Sequence, residues 1–279
     1  MLKRTLTGLV ILLITFAFVM LKQVHQICFD LFVLAIMYLT IFEIKNTTKQ
    51  RFFVCFLIIP ALFCVFLNFQ YFKNNIFLWL VLSVLFVLFV SIASELVRPN
   101  GLFEKTKNTM QLVGYPTLPI MFLMFVNHMP YEVGYVGIVL VFAVSMLTDT
   151  FAYLFGIKFG KHKLAPVISP KKSVEGFVGG FVGGLVGASL CFVLFYFTNW
   201  FTVLKVAELG TSIVTFALIG VFGSLATQFG DLIASAYKRK FGIKDFGNIF
   251  PGHGGVMDRV DGAMLNAVLV YLFLALFFV

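Results

Sequence analysis

The chain carries little charge and few acids. Of its 279 residues only 12% are charged, and Asp and Glu together number 12. Hydrophobic residues make up 61% of the chain, and the mean hydropathy is +1.02. Because soluble domains carry about 25% charged residues, this composition excludes an ordinary soluble fold. It indicates an integral membrane protein that crosses the bilayer several times.

Cysteine is also scarce. The four cysteines, all inside or at the edge of apolar runs, are Cys28, Cys55, Cys64 and Cys191. Their spacing suggests neither a metal cluster nor a disulfide framework. We interpret them as small hydrophobic side chains.

Long apolar runs divide the chain into about nine membrane spans, since each span needs roughly 20 apolar residues. The predicted spans are residues 5–22, 27–44, 52–70, 76–97, 112–128, 133–156, 176–198, 211–234 and 260–279. The first lacks a small-residue cleavage site and is expected to be a retained span rather than a signal peptide. The expected fold is an all-α polytopic bundle. Residues 1–130 would form mainly scaffold, and residues 131–279 the catalytic region with its basic loops.

Basic residues are distributed unevenly and orient this bundle. With a cytosolic N-terminus, the cytosolic segments hold all but three of the 21 Lys and Arg residues, the exceptions being Lys22, Lys73 and Lys205. Such an asymmetry predicts a multi-pass protein of the cytoplasmic membrane whose N-terminus faces the cytosol. Anionic lipid, and not nucleic acid, then accounts for the formal charge of +9, because basic loops face the lipid headgroups.

Ionisable residues are rare in the first five predicted spans. Asp30 and Glu43 lie near the ends of the second span, and His25 and His128 lie at predicted boundaries. We interpret these four as interfacial residues rather than ligands, since polar side chains are common at the membrane surface.

Charge of both signs is concentrated in residues 224–262. The residues concerned are Asp231, Asp245, Asp258, Asp261, Lys238, Arg239, Lys240, Lys244, Arg259 and His253. Ionisable groups are expensive near hydrocarbon, so a chain that gathers them in one segment is expected to build a site there. The alternative for any single residue is a topology signal or a helix cap.

Polar residues on one face of two predicted spans point to functional acids. In the sixth span they are Ser145, Thr148, Asp149 and Tyr153, and in the eighth Ser224, Gln228, Asp231 and Ser235, all at helical spacing. An Asp inside the membrane boundary faces a partner or a water-filled cavity. Asp149 and Asp231 are therefore functional candidates, with a buried pair to a loop lysine as the alternative for Asp149.

Two features flank the seventh predicted span. Before it, Lys171 and Lys172 end a proline-broken loop and suit a phosphate, with a positive-inside anchor as the equal alternative. Within it, glycines recur in a G-x-x-G-G pattern: Gly176, Gly179, Gly180, Gly183, Gly184 and Gly187. This pattern predicts close helix packing, within one chain or between two, which leaves a homodimer open.

A glycine-rich loop and a pair of acids precede the last span. Gly252, Gly254 and Gly255 surround His253, and glycines at this density let backbone N–H groups approach an anion. Asp258 and Asp261 follow on one face of one helix. Mg²⁺ binds one or two carboxylates together with substrate phosphates, so the segment predicts a metal and phosphate site.

The segment Ser235 to Asp261, S-A-Y-K-R-x4-K-D-x-G-x3-P-G-H-G-G-V-M-D-R-V-D, resembles the signature of the phosphatidate cytidylyltransferase family, also called CDP-diacylglycerol synthases. The upstream blocks T-D-T-x-A-Y, F-G-K-H-K-L-A-P and S-P-K-K-S-x-E-G agree with it. The resemblance covers roughly residues 147–262. It departs from the family pattern at Phe151 and Gly262, and at Ala234, where a Glu is common.

The resemblance implies that CTP and phosphatidic acid react, with Mg²⁺ or another divalent cation, to give CDP-diacylglycerol and pyrophosphate. It places the site at the cytosolic membrane surface among membrane lipids. We expect the metal ligands to be Asp231, Asp258 and Asp261, supported by Asp149. We expect the groups that contact the triphosphate or the lipid headgroup to be Lys171, Lys172, Lys238, Arg239, Lys244, Arg259, Ser235, Gly254 and Gly255. His253 would stabilise the leaving pyrophosphate or shape its loop, and Asp245 would orient the base.

Two other functions fit a membrane bundle with charges at one end. One is a CTP-dependent lipid-alcohol kinase, which would transfer the γ-phosphate of CTP in place of the cytidylyl group. The other is a non-enzymatic transporter of an anionic lipid. Against the transporter, the chain has no paired inverted halves, and its charges lie at one membrane face rather than at the midplane.

Overall fold

Helices form most of the protein in this computed structural model, which describes residues 2–48, 107, 111, 113–197, 209–250, 252 and 254–278. The helices are α1 (Leu2–Leu21), α2 (Gln26–Thr48), α3 (Leu118–Asn127), α4 (Tyr131–Phe159), α5 (Val174–Phe197), α6 (Leu209–Lys240) and α7 (Met257–Phe278). A π-helical turn, Val113–Thr117, precedes α3. The predicted spans 52–70 and 76–97 lie outside the described residues.

Five described helices are long and apolar enough to cross a membrane. They comprise Gln26–Thr47, Glu132–Phe159, Val174–Phe197, Leu209–Lys240 and Met257–Phe278. A shorter apolar stretch, Gly8–Leu21, corresponds to the first predicted span. The predicted span 112–128 contains an α-helix of only 10 residues, α3, because the π-helical turn takes up its beginning. The multi-pass membrane architecture is confirmed, while the count of nine spans and the cytosolic N-terminus stay predictions.

One small hairpin departs from the all-α expectation. Strands β1 (Lys163–Ala165) and β2 (Ser169–Ser173) pair antiparallel between α4 and α5. The sequence predicts that prolines break the helix here, and Pro166 indeed lies between the strands. The base of the hairpin is held by the Glu175 carboxylate, which accepts a hydrogen bond from the Lys161 backbone N–H at 3.1 Å and pairs with His162 Nδ1 at 2.7 Å. The hairpin therefore connects the end of α4 to the start of α5 in a fixed position.

The chain divides into two compact units. The first comprises Met1–Met124 with Phe246–Met257, and the second Phe125–Asp245 with Asp258–Val279. In the first unit α1 packs on α2, with the rings of Phe18 and Phe32 stacked at 4.6 Å. In the second unit α5 packs against both α4 and α6.

Glycines on two sides of α5 explain this packing in the second unit. One row contacts α4 and consists of Gly176, Gly179, Gly183 and Gly187, and the other contacts α6 and consists of Gly180 and Gly184. A Cβ at Gly183 would strike the Leu147 carbonyl, and one at Gly184 would lie 2.5 Å from Ser224 Cβ. The predicted glycine packing is thus confirmed, and both rows serve contacts within one chain.

A buried polar belt ties α4, α6 and α7 together. Asn266 Nδ2 donates to the Val141 carbonyl at 2.9 Å and to Ser145 Oγ at 3.1 Å. Ser145 Oγ in turn lies 3.2 Å from Thr227 Oγ1. Asp149 lies one helical turn after Ser145, and Asp231 one turn after Thr227. The belt consequently fixes α4 and α6 one helical turn before these two acids in the sequence.

We expect Gly183→Ala to destabilise the protein although alanine is the better helix former. The added methyl group would force α4 and α5 apart, and overpacking of this kind destabilises by about 1–3 kcal/mol. Gly210→Ala is the matched control, because Gly210 also lies in a helix but has open space around its Cα. Thermal unfolding in detergent should show a lower midpoint for Gly183→Ala and no decrease for Gly210→Ala. Equal midpoints would contradict the packing account.

Candidate active site

Among the described residues of the second unit, Lys172 and Asp231 form the more open of two lysine–aspartate ion pairs. Lys172 Nζ lies 2.6 Å from Asp231 Oδ2, and the side chains are 25% and 34% exposed. Ser235 Oγ donates to the other carboxylate oxygen of Asp231 at 3.4 Å. Lys172 is anchored by its neighbour Ser173, whose Oγ accepts the Gly176 backbone N–H at 3.1 Å at the start of α5. The pair therefore joins the basic hairpin to α6.

Lys238 and Asp258 form the second pair, which is almost fully buried. Lys238 Nζ donates to Asp258 Oδ1 at 2.9 Å, and the side chains are 13% and 3% exposed. Lys238 extends from the last turn of α6, and Asp258 lies in the first turn of α7. The Coulomb attraction is strong in this position because little water screens it.

Three acids from three helices lie within interaction distance of one another. Asp149 on α4 interacts electrostatically with Asp231 on α6, and Asp261 on α7 interacts with both. Like charges this close repel, so the cluster needs positive charge beside it. Lys172 and Arg259 supply it near Asp149, and Lys238 supplies it near Asp261.

Two glycines allow the helices that carry Asp231 and Asp261 to approach each other closely. A Cβ at Gly230 would strike the Asp261 carbonyl and lie 3.2 Å from Gly262 Cα. A Cβ at Gly262 would lie 2.8 Å from Thr227 Cγ2. The backbones of α6 and α7 thus cross in contact, with Asp231 and Asp261 beside the crossing. Gly262 is a departure from the family pattern. The close approach of the two helices explains it, because this position has no room for a side chain.

The other departures are also accounted for by packing. Ala234 is fully buried, with 0% exposure, so this position on α6 faces protein and leaves no open space for a longer acid. Phe151 packs beside the glycines of α5, where its carbonyl and Cβ face Gly179 and Gly183. Neither residue removes a member of the acid cluster.

The remaining candidate residues are placed as follows. Arg239 Nε donates to the Ile168 carbonyl of the hairpin turn at 3.2 Å, which links α6 to the hairpin a second time. Exposed side chains belong to Lys171, Lys244, Asp245 and Arg259. Gly254 and Gly255 belong to the first unit, where the Phe250 backbone N–H donates to the Gly254 carbonyl at 2.9 Å. His253 lies outside the described residues.

Within the ranges that the structure describes, no three His, Cys, Asp or Glu side chains are grouped closely enough to bind one metal ion. Asp231 and Asp258 each face a lysine, and Asp261 Oδ1 accepts the Gly262 backbone N–H at 2.9 Å. The donor chemistry nevertheless fits a hard divalent cation, since the oxygens are carboxylate oxygens and the cluster attracts positive charge. Asp149, Asp231 and Asp261 interact electrostatically with one another, while Asp258 is engaged by Lys238.

One buried acid has a role that sequence reasoning missed. Glu43 is 3% exposed and accepts backbone hydrogen bonds from Val256 and Met257, at 2.8 and 2.9 Å. Its interpretation as an interfacial residue did not include these contacts. The sequence does show an acid near the end of an apolar span and, elsewhere in the chain, a glycine-rich loop. Nothing in the sequence indicates that the two are in contact.

The fold and the site together define a multi-pass membrane protein with an acidic cluster paired to lysines. The model of the cytidylyltransferase family matches residues 2–277, and the chain belongs to this family. The predicted family resemblance is thereby confirmed.

Several curated relatives are phosphatidate cytidylyltransferases. The protein of Staphylococcus aureus (strain COL) is 43% identical over 136 residues, which cover 46% of this chain and 47% of the relative. That of Staphylococcus epidermidis (strain RP62A) is 41% identical over 138 residues, which cover 48% of each chain. That of Staphylococcus haemolyticus (strain JCSC1435) is 43% identical over 136 residues. The chain thus spans about half the length of the curated relatives it matches.

We expect Lys238→Met to destabilise the protein much more than Lys172→Met. Loss of Lys238 removes the ammonium group that faces the buried Asp258 carboxylate, and breaking a buried pair costs about 3–5 kcal/mol. The pair of Lys172 is more exposed, and pairs of that kind contribute about 0–1 kcal/mol. Unfolding midpoints in detergent with a chelator and without nucleotide measure the difference. A larger loss in Lys172→Met would contradict this ranking.

Proposed function

We propose that the protein is a phosphatidate cytidylyltransferase, which converts CTP and phosphatidic acid into CDP-diacylglycerol and pyrophosphate. The observation that carries the proposal is the cluster of Asp149, Asp231 and Asp261 with its flanking lysines. It belongs to a chain of the cytidylyltransferase family, and the three staphylococcal relatives compared above carry that enzyme's name. The active site would face the cytosol at the cell membrane, where CTP and lipid headgroups are both accessible.

The reaction needs two anions to approach each other. A phosphate oxygen of phosphatidic acid attacks the α-phosphorus of CTP, the bond from that phosphorus to the β-phosphate oxygen breaks, and pyrophosphate leaves. The attacking oxygen is already ionised near neutral pH, so no general base is required. The difficulty is repulsion, and positioned positive charge overcomes it in reactions of this kind.

Lys172 and Lys238 supply positive charge at two different places. Each holds an aspartate through Nζ, at 2.6 and 2.9 Å. Lys172 is the more exposed of the two, so its ammonium can exchange a carboxylate for a substrate phosphate with little rearrangement. Lys238 is buried with Asp258 and would remain in place as a fixed charge. This difference suits one lysine to substrate binding and the other to site electrostatics.

We further propose Mg²⁺ as the cofactor. Asp231, Asp258 and Asp261 would hold it, with Asp149 in support. When bound, the ion would neutralise phosphate charge and orient the reacting groups. The electrostatic interaction among Asp149, Asp231 and Asp261 supports this proposal, since repulsion among these acids makes the place favourable for a cation. Binding would require Asp231 and Asp258 to share or release their lysines.

The outer basic residues would complete the substrate site. We assign the triphosphate and the lipid headgroup to exposed groups around the cluster, namely Lys171, Arg239, Lys244 and Arg259, together with Ser235. Gly254 and Gly255 would offer backbone N–H groups to a phosphate, His253 would stabilise the leaving pyrophosphate, and Asp245 would orient the base. Positive residues at the inner surface also attract the anionic lipid substrate itself.

Labelled CTP distinguishes this proposal from a lipid kinase. The purified protein with Mg²⁺ and phosphatidic acid should transfer label from the α-phosphate of CTP into lipid and release pyrophosphate in equal amount. Transfer of the γ-label into a lipid alcohol would instead establish the kinase. Absence of both, together with movement of phosphatidic acid between the leaflets of reconstituted vesicles, would establish the transporter.

We expect Asp261→Asn to lower turnover at saturating substrates by at least about a hundredfold, because a metal ligand contributes several kcal/mol to the transition state. Asp258→Asn should behave similarly. Glu132→Gln is the control, since Glu132 lies in the first turn of α4, 17 residues before Asp149, or about 25 Å along the helix. Activity is followed as pyrophosphate release across a magnesium titration. Normal magnesium-dependent rates in both Asn variants would refute the metal assignment.

A further inference from the structure

The Glu43 carboxylate is held at a single place in the first unit by two backbone hydrogen bonds. Its Oε1 accepts the Val256 N–H at 2.8 Å, and its Oε2 accepts the Met257 N–H at 2.9 Å. The side chain is 3% exposed. This position therefore uses both oxygens of the carboxylate.

Glycines shape the chain around this carboxylate. A Cβ at Gly247 would lie 2.7 Å from the Glu43 carboxyl carbon, and one at Gly255 would strike both carboxylate oxygens. Between these glycines the chain turns back on itself, with Gly254 at a φ of +84°. The glycine-rich segment of the family signature is thus built around a side chain that lies more than two hundred residues earlier in the sequence.

The Glu43 carboxylate contacts the beginning of α7, and this contact explains why the side chain is charged. Met257 is the first residue of α7, and the first backbone N–H groups of a helix have no partners within it. A carboxylate satisfies two of these donors at once, and negative charge is favoured at a helix N-terminus. Burial of the carboxylate is thereby compensated, and the backbone at Val256 and Met257 is held in one position.

We propose that Glu43 is a positioning residue for the cytidylyl transfer, which acts by fixing the glycine-rich segment and the beginning of α7. This inference rests on the proposed function. Asp258 follows Met257 directly in the chain, so the backbone that Glu43 holds ends one residue before that aspartate. Glu43 touches neither substrate nor metal in this account, and its effect is transmitted through the backbone.

A positioning role predicts a loss of turnover without a loss of folding. Glu43→Gln retains one acceptor oxygen, but its amide group cannot accept the second backbone N–H. We expect kcat to fall by roughly 10- to 100-fold, as for residues that orient metal ligands. The KM for CTP should change by less than about threefold, and the unfolding midpoint should stay close to that of the unchanged protein. Glu43→Asp should restore part of the lost turnover.

Three further variants separate this effect from general destabilisation. Gly255→Ala retains the glutamate at position 43 but adds a methyl group that would displace its carboxylate. This variant should therefore reproduce the loss of kcat. Asp30→Asn removes another buried acid of α2, one that interacts with Lys22, and should leave kcat unchanged. Gly114→Ala is the control for the glycine variant, because nothing lies near its Cα.

Hydrogen exchange measures the geometry independently of activity. In detergent and without substrates, the amides of Val256 and Met257 should exchange at least tenfold faster in Glu43→Gln than in the unchanged protein, and at the same rate in Asp30→Asn. Unchanged exchange in Glu43→Gln would overturn the inference, as would faster exchange with an unchanged kcat. A fall in kcat that is equal in Glu43→Gln and Asp30→Asn would also overturn it. Absence of cytidylyl transfer in the unchanged protein would refute the proposed function, and the exchange rates would still report on the role of Glu43 in the fold.

Discussion

Repulsion among neighbouring acids is the constraint on which the second unit depends. Asp149, Asp231 and Asp261 come from three different helices, and their charges interact. Such a group is stable only beside positive charge, and the chain provides it from the hairpin through Lys172 and from α6 through Lys238. The glycine crossings and the Asn266 belt also contribute, because they hold three helix backbones close enough for the acids to interact electrostatically.

Much of this arrangement could be predicted from the sequence, since it depends on local patterns. The apolar runs predict the helices that carry the site, and the glycine repeat predicts the contacts of α5. The polar faces single out Asp149 and Asp231. All of these signals repeat at the period of a single helix, which a sequence displays directly.

Pairing between distant segments could not be predicted in the same way. Two acids three residues apart suggest a common role for Asp258 and Asp261, yet Asp258 pairs with Lys238 while Asp261 joins the acids of other helices. Glu43 is the clearer case, because its partners are backbone N–H groups, which every residue possesses. A hydrogen bond to the main chain leaves no trace in the identity of the residue that donates it.

The length of α6 has a consequence for where chemistry can occur. Its 32 residues extend for about 48 Å, whereas the hydrocarbon layer is about 30 Å thick. We expect its basic end, with Lys238, Arg239 and Lys240, to lie at the headgroups, where charged side chains are favoured. In the proposed reaction, a dissolved nucleotide and a lipid anchored by its acyl chains would meet there, each without leaving its own phase.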